Sequence, residues 1–146
     1  RDLFGYTAAR LASGMIDFEG VGPAYPVEEI VEHEILEPVM EKGRVQGIFE
    51  INDPNFGNLW TNIPLKAFEE AGFSYGENVQ VIVRHNGEVK FDQKVLFHKS
   101  FGYAEKGVPM VYNNELMKVA LAVSQGSFCE QYGVSYGPEW TVEFVH

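Results

Sequence analysis

The sequence predicts a mainly β, α+β fold: one compact barrel or sandwich. Three observations point there. About seven short runs rich in β-branched and aromatic residues recur between turn formers. Asn86-Gly87, a strong two-residue hairpin signal, joins two of them. Helical periodicity is confined to short stretches, and the chain has no internal repeat. Short strands with regular turns close into a barrel or pair into a sandwich. A chain of 146 residues has enough surface to bury for one core and not comfortably for two.

Residues 3–13 read as a helix, with Asp2 as its N-cap. Leu3, Tyr6, Thr7, Arg10 and Leu11 fall at three- and four-residue spacing, and Gly14 closes the end. Gly20 to Pro26 holds two glycines and two prolines and reads as a linker, which divides the chain into 1–26 and 27–146. A lone helix ahead of a linker cannot bury its own apolar face. It is therefore the tail of something larger, or it docks back.

Val27 to Pro38 reads as extended and acidic, with Ile30, Val31, Ile35 and Leu36 as its apolar residues. Lys42-Gly43 is a turn, and Val45 to Asn52 a strand in which Gly47 marks a bulge. Pro64 opens a helix with Leu65, Phe68 and Ala71 on one face, and Gly72 stops it. Val79, Val81 and Val83 alternate inward along the next strand, and Val89 to Phe97 returns after the Asn86-Gly87 turn. Val108 to Tyr112 and Val119 to Val123 are two more strands. Ser127 caps a short helix to Tyr132, and Trp140 to Val145 is the last strand, with Trp140, Val142 and Phe144 on one side.

Composition argues against several functions. The formal net charge is -10, from 11 Lys and Arg against 21 Asp and Glu. A nucleic acid or an anionic lipid surface needs a basic face, so neither is expected as a partner. No apolar run approaches the ~20 residues of a membrane span, and no basic, apolar leader opens the chain. A cytoplasmic protein is expected. Arg1-Asp2 lacks an initiator Met, which suggests a processed or truncated chain. The single cysteine, Cys129, rules out an internal disulfide and reads as a small buried hydrophobe. His33, His85, His98 and His146 lack ligand-like spacing, so no metal site and no cofactor are expected. There is no nucleophile elbow, phosphate-binding glycine loop or recognisable triad, and no catalytic residue is assigned.

The densest chemistry lies in Asp53-Pro54-Asn55-Phe56-Gly57-Asn58-Leu59-Trp60-Thr61-Asn62-Ile63. A carboxylate, two large aromatics and three side-chain amides share these eleven residues, broken by Pro54 and Gly57. Composition alone reads it as a turn and a strand. A strand end or tight loop so furnished also suits a heterocycle, because aromatic faces stack on flat rings and amides read hydrogen-bond patterns. Phe101, Tyr103 and Tyr112 lie in or beside other loops and strand ends. Ser124-Gln125-Gly126-Ser127 reads as a turn into a helix cap, or as part of a pocket wall.

The signature run resembles the Asp-x-x-Phe-Gly-Asn-x-Trp-Thr-Asn-Ile pattern of the S-adenosyl-L-methionine (SAM) hydroxide adenosyltransferases, a family that also holds fluorinases and chlorinases. Other segments are similar in the same order. Arg1-Asp2-Leu3-Phe4 resembles part of a His-Gly-Arg-Asp-x-Phe run. Ser100-Phe101-Gly102 resembles a Phe-bearing loop, Tyr112-Asn113-Asn114-Glu115 a Tyr-x-Asn-Ser run, and Val119 to Phe128 a Leu-x-x-Ala-x-Asn-Gln-Gly-Asn pattern. The resemblance implies that residues 1–26 are the last helix and linker of an N-terminal α/β domain, and 27–146 the smaller β domain.

It also implies a site. Phe56 and Phe101 would flank an adenine, and Asn58 would bind its amino edge, helped by backbone around Val123 and Gln125. Asp53 would face a methionine ammonium, with Trp60 and the Asn114-Glu115 turn near the methionine end. SAM would be substrate rather than cofactor. An N-terminal domain of the same or a neighbouring subunit would close the site in a homotrimer. The sequence departs from the pattern where Glu115 replaces Ser, Leu116-Met117 replaces x-Gly, and Ser124 replaces Asn.

Overall fold

The computed structural model describes residues 3–32 and 34–146. The expected Asp2 cap, the Arg1-Asp2 part of the resemblance and His33 lie outside the described residues. Contacts divide the chain into a unit that ends at Glu34 and a second unit, Ile35–His146. The division falls later than the linker expected to end at Pro26.

In the first unit, helix α1 spans Phe4–Ala12 and ends where Ser13 N–H donates to the Ala9 carbonyl. None of its residues is buried. The stretch expected to be extended from Val27 instead opens with a 3-10 turn, Val27–Glu29, and among the described residues no strand precedes Val39. Its apolar residues lack a period of two, so a strand here would bury no continuous face.

The second unit is a closed seven-stranded barrel. β2 (Arg44–Asp53), β3 (Asn58–Pro64), β7 (Lys118–Val123), β6 (Pro109–Asn113), β5 (Glu88–Phe97), β4 (Asn78–His85) and β8 (Gly137–Val145) neighbour one another in that order, and β2 pairs β8 to close the ring. A short β1 (Val39–Glu41) adds to the start of β2. All pairings are antiparallel except β5 with β6. A parallel pair needs a crossover rather than a tight turn. Here the crossover includes the 3-10 turn Phe101–Tyr103. At the β4–β5 hairpin, Asn86 and Gly87 take φ of 49° and 85°, the left-handed pair that a two-residue turn between twisted strands requires.

The interior is apolar. Val45, Phe49, Leu59, Val81, Val83, Val111, Leu121, Val142 and Phe144 alternate inward and are fully buried. Helix α2 (Leu65–Glu70) plugs one mouth with Phe68, and α3 (Phe128–Tyr132) brings Phe128 against Phe91 at the other. A second, small apolar cluster of Met110, Tyr112, Ala120 and Ala122 sits on the outer face of β6 and β7, with Trp60 packed against it.

Gly47 is not at a bulge. The register shifts lie after it, between Ile48 and Phe49 toward β8 and between Phe49 and Ile51 toward β3. Gly47 is needed for a different reason: a Cβ there would collide with Asn62 Oδ1 and lie 2.8 Å from Ile63 Cγ1. That amide is occupied. Asn62 Oδ1 accepts from Ile48 N–H at 3.0 Å, and its Nδ2 donates to the Leu36 carbonyl at 2.7 Å. Thr61 works similarly on the other side, donating its hydroxyl to the Val119 carbonyl at 2.7 Å. Both side chains replace ladder bonds where the strands slip register. Gly47→Ala is expected to cost roughly 1–3 kcal/mol from overpacking and loss of this link. Chemical denaturation read by tryptophan fluorescence checks it.

On the barrel's outside, nearly buried Glu143 of β8 lies between two arginines of the adjacent strands. Its Oε1 accepts from Arg44 Nε at 2.6 Å and its Oε2 from Arg84 Nη1 at 2.8 Å. Burial alone would raise the Glu143 pKa, but the hydrogen bonds from Arg84 and Arg44 outweigh it and hold the carboxyl below its ordinary 4.5. A lowered folded-state pKa contributes stability that is present above the unfolded value and lost as pH falls through the folded one. Glu143→Gln is therefore expected to lower the melting temperature at neutral pH. The gap between variant and parent should shrink as pH falls below the ordinary carboxyl value of 4.5 and through the lowered folded-state value, readable from melts across an acid series.

Candidate functional site

A cleft of about 780 Å³ opens on the outer face of the barrel, near the tip of the β2–β3 hairpin. It is formed by that tip, the outer faces of β3 and β6, the β6–β7 hairpin, the segment from the end of β7 into α3, and the crossover that carries Phe101.

The tip is held by its own backbone. Gly57 N–H donates to the Asp53 carbonyl at 2.7 Å, and Asn55 N–H to Asp53 Oδ1 at 3.1 Å. Gly57 has φ of 66°, and a Cβ on it would overlap Ser127 Oγ. Only glycine lets the tip lie this close to the start of α3. Cys129 N–H donates to the Gly57 carbonyl at 3.1 Å and fastens the two. Ser127 caps α3 as its type suggests, accepting from Glu130 N–H at 3.1 Å.

The wall follows from strand register. Ala120 of β7 pairs Trp60 on one side and Tyr112 on the other. A small residue between two large rings lets both pack across it. Phe101 leans on Tyr112, with ring centroids 4.5 Å apart. Burial pushes the Tyr112 hydroxyl up to about 12, with the charges of Glu115 and Asp53 adding to it. It stays protonated at neutral pH.

The structure places Asp53, Phe56, Asn58, Trp60, Phe101, Glu115, Val123 and Gln125 around this one cleft. Phe56 is 64% exposed and Phe101 42%, so neither is sequestered in the core. Asn58 is only 7% exposed, and its carboxamide makes no hydrogen bond within the described fold. Trp60 Nε1 is likewise buried without a partner. Both stand beside the Tyr112 hydroxyl and partly offset the rise in its pKa, yet neither closes a bond to it with good geometry. Gln125 holds a left-handed φ of 53° in the turn after β7.

Asn114 is not among the residues that line the cleft. It is 2% exposed, and its Oδ1 accepts from Leu116 N–H and Lys118 N–H, both at 3.0 Å. It shapes the β6–β7 hairpin, and in doing so brings Glu115 to the cleft. Asn62, the third amide of the signature run, serves the strand register instead.

Sequence reasoning missed Asn52, Cys129 and Glu130 as cleft residues. The Cys129 thiol is pushed up to about 11 by burial and donates to Asn52 Oδ1 at 3.4 Å. It is a polar wall residue rather than a thiolate. Only the Ser127 cap hinted at these positions, because it fixes where α3 starts.

The arrangement suits a flat heteroaromatic ring with a polar edge. Two exposed phenyl rings give stacking area, and the buried, unpaired Trp60 Nε1 with the Asn58 carboxamide beside it are polar groups that a ligand or water can answer.

Comparison with known proteins gives the same direction. The family model for the SAM hydroxide adenosyltransferase C-terminal domain matches residues 47–141. The chain is 31% identical over 144 residues to a fluorinase from an Actinoplanes species, covering 97% of this chain and 47% of that protein. It is 29% identical over 140 residues to an (R)-S-adenosyl-L-methionine hydrolase from Thermus thermophilus, covering 94% of this chain and 45% of that protein. A crystal structure of an uncharacterized conserved protein from Thermotoga maritima superposes with a TM-score of 0.69 at 27% identity, over 98% of this chain and 50% of that one. The chain thus spans about half the length of the curated relatives it matches.

Proposed function

The chain belongs to the SAM hydroxide adenosyltransferase C-terminal domain family, and from that premise we propose that it is the adenine- and methionine-binding part of an enzyme that hydrolyses SAM to adenosine and L-methionine. The observation that carries the reading is the convergence of Phe56, Phe101 and Asn58 on one cleft. The two rings stack on the adenine, and the Asn58 carboxamide, which has one acceptor and two donors, answers its amino group and adjacent ring nitrogen. Asp53 and Glu115 face the ammonium of the methionine part.

The reaction is an in-line displacement at C5′ of the ribose. Hydroxide attacks, the C5′–sulfur bond breaks, and the sulfonium leaves as neutral methionine. A leaving group that starts positive needs little acid assistance. The site therefore contributes mainly alignment and exclusion of bulk water. The part of the protein that activates the nucleophile is assigned to an N-terminal α/β domain, of the same or a neighbouring subunit in a homotrimer. This chain alone is expected to bind SAM weakly and not to turn it over. We assign the protein to the cytoplasm.

A second reading, halide as the nucleophile, is favoured by the relatives named fluorinase. A third is an adenosine-binding or assembly module without chemistry. Full-length protein incubated with SAM, with adenosine followed by chromatography, separates them. Adenosine without added halide is the expected result. A halogenated nucleoside formed only with halide supports the second reading, and binding without product supports the third.

A further inference from the structure

Building on the reading of this cleft as an adenine-compound site, we propose that Glu115 and Glu130 make it selective for charge, so that it accepts an adenine nucleoside with a neutral or cationic 5′ substituent and rejects one bearing a 5′-phosphate. Three carboxylates reach the cleft from three separate elements: Asp53 at the end of β2, Glu115 on the β6–β7 hairpin and Glu130 on α3. No lysine, arginine or histidine lines it among the described residues. Asp53 is partly engaged by Asn55 N–H. Glu115 and Glu130 are exposed and form no ion pair with a described residue.

Carboxylates on a rim are usually only a solvated surface. Here they surround polar groups that ask for a ligand: Asn58, a residue only 7% exposed whose carboxamide lines the cleft beside the Tyr112 hydroxyl, and the buried, unpartnered Trp60 Nε1. The field also reaches the cleft wall, because Glu115 and Asp53 each raise the pKa of the Tyr112 hydroxyl. A 5′-phosphate carries about −1.5 to −2 at neutral pH and would enter against three like charges without a cation to answer it. At partly exposed positions, each carboxylate is worth about 2- to 5-fold in affinity for a ligand of unit charge, and the effect is screened by salt.

Three probes differ only at the 5′ position: adenosine, adenosine 5′-monophosphate and 5′-amino-5′-deoxyadenosine. Calorimetric titration of the chain at low salt is expected to rank them amine above adenosine above phosphate, with the phosphate at least about 10-fold weaker than adenosine. In the double variant Glu115→Gln, Glu130→Gln the amine-to-phosphate ratio should fall by about 10-fold or more, and high salt should narrow the ratio in the parent. If the phosphate binds as well as adenosine, or the ratio survives both substitutions, charge selection is overturned while the adenine reading stands. If adenosine itself does not bind, the adenine reading fails and this inference with it.

Discussion

Phe68→Ala is expected to destabilise the barrel by about 3–5 kcal/mol, more than Gly47→Ala. Phe68 is fully buried on α2, the short helix that closes one mouth. It stacks on Phe73 with centroids 4.2 Å apart, and meets Phe97 and Phe144 edge-on at 5.4 and 5.1 Å. Removing the ring opens a cavity among three other rings fixed to β5, β8 and the loop after α2. Those neighbours cannot collapse into it without breaking ladder bonds, so the cost should lie toward the upper end of the range. Urea or guanidinium unfolding measures it. A loss below about 1 kcal/mol would mean that α2 does not seal the core as described. The cleft lies toward the other mouth, so ligand affinity of the folded variant should change far less than stability.

Asn58→Ala has the converse profile. Asn58 lines the cleft, and its carboxamide has only the Tyr112 hydroxyl as a polar neighbour, so it contributes little to the folded state. With adenine bound, it would supply the hydrogen bonds to the amino edge. Losing them leaves polar groups of a desolvated ligand unsatisfied, which costs about 1–3 kcal/mol, or roughly 5- to 150-fold in affinity. Adenosine titration, paired with a melting curve, separates the effects. Weakened binding with a melting temperature near that of the parent is the expected pattern. Unchanged affinity would remove Asn58 from the site. A collapse in stability would make it a structural residue instead.

The sequence carried the strands well and their closure poorly. Alternation along Val79, Val81 and Val83, and the Asn86-Gly87 turn, are local signals, and the β4–β5 hairpin follows them. The pairing of β2 with β8 and the parallel pairing of β5 with β6 join distant or crossed-over segments, for which no local pattern exists. Those pairings make the fold a barrel rather than a sandwich.

The signature run shows the same limit at residue level. Asn58 and Asn62 are the same residue type on one strand, yet Asn58 lines the cleft and Asn62 spans a register shift over Gly47. Residue type announces that an amide will bond to something; only the register says to what. Asn114 likewise turned out to shape a hairpin, while its neighbour Glu115 reaches the cleft. Glu130 and Cys129 could not be foreseen, because their place depends on how α3 is laid against the β2–β3 tip, through the Gly57 carbonyl.

The central claim is that rings from two distant segments sandwich one purine. The direct measurement is a set of intermolecular nuclear Overhauser effects on the labelled chain saturated with adenosine. Adenine H2 and H8 should each show contacts to the ring protons of both Phe56 and Phe101. Contacts to only one of these rings, or to residues outside the cleft, would contradict the account.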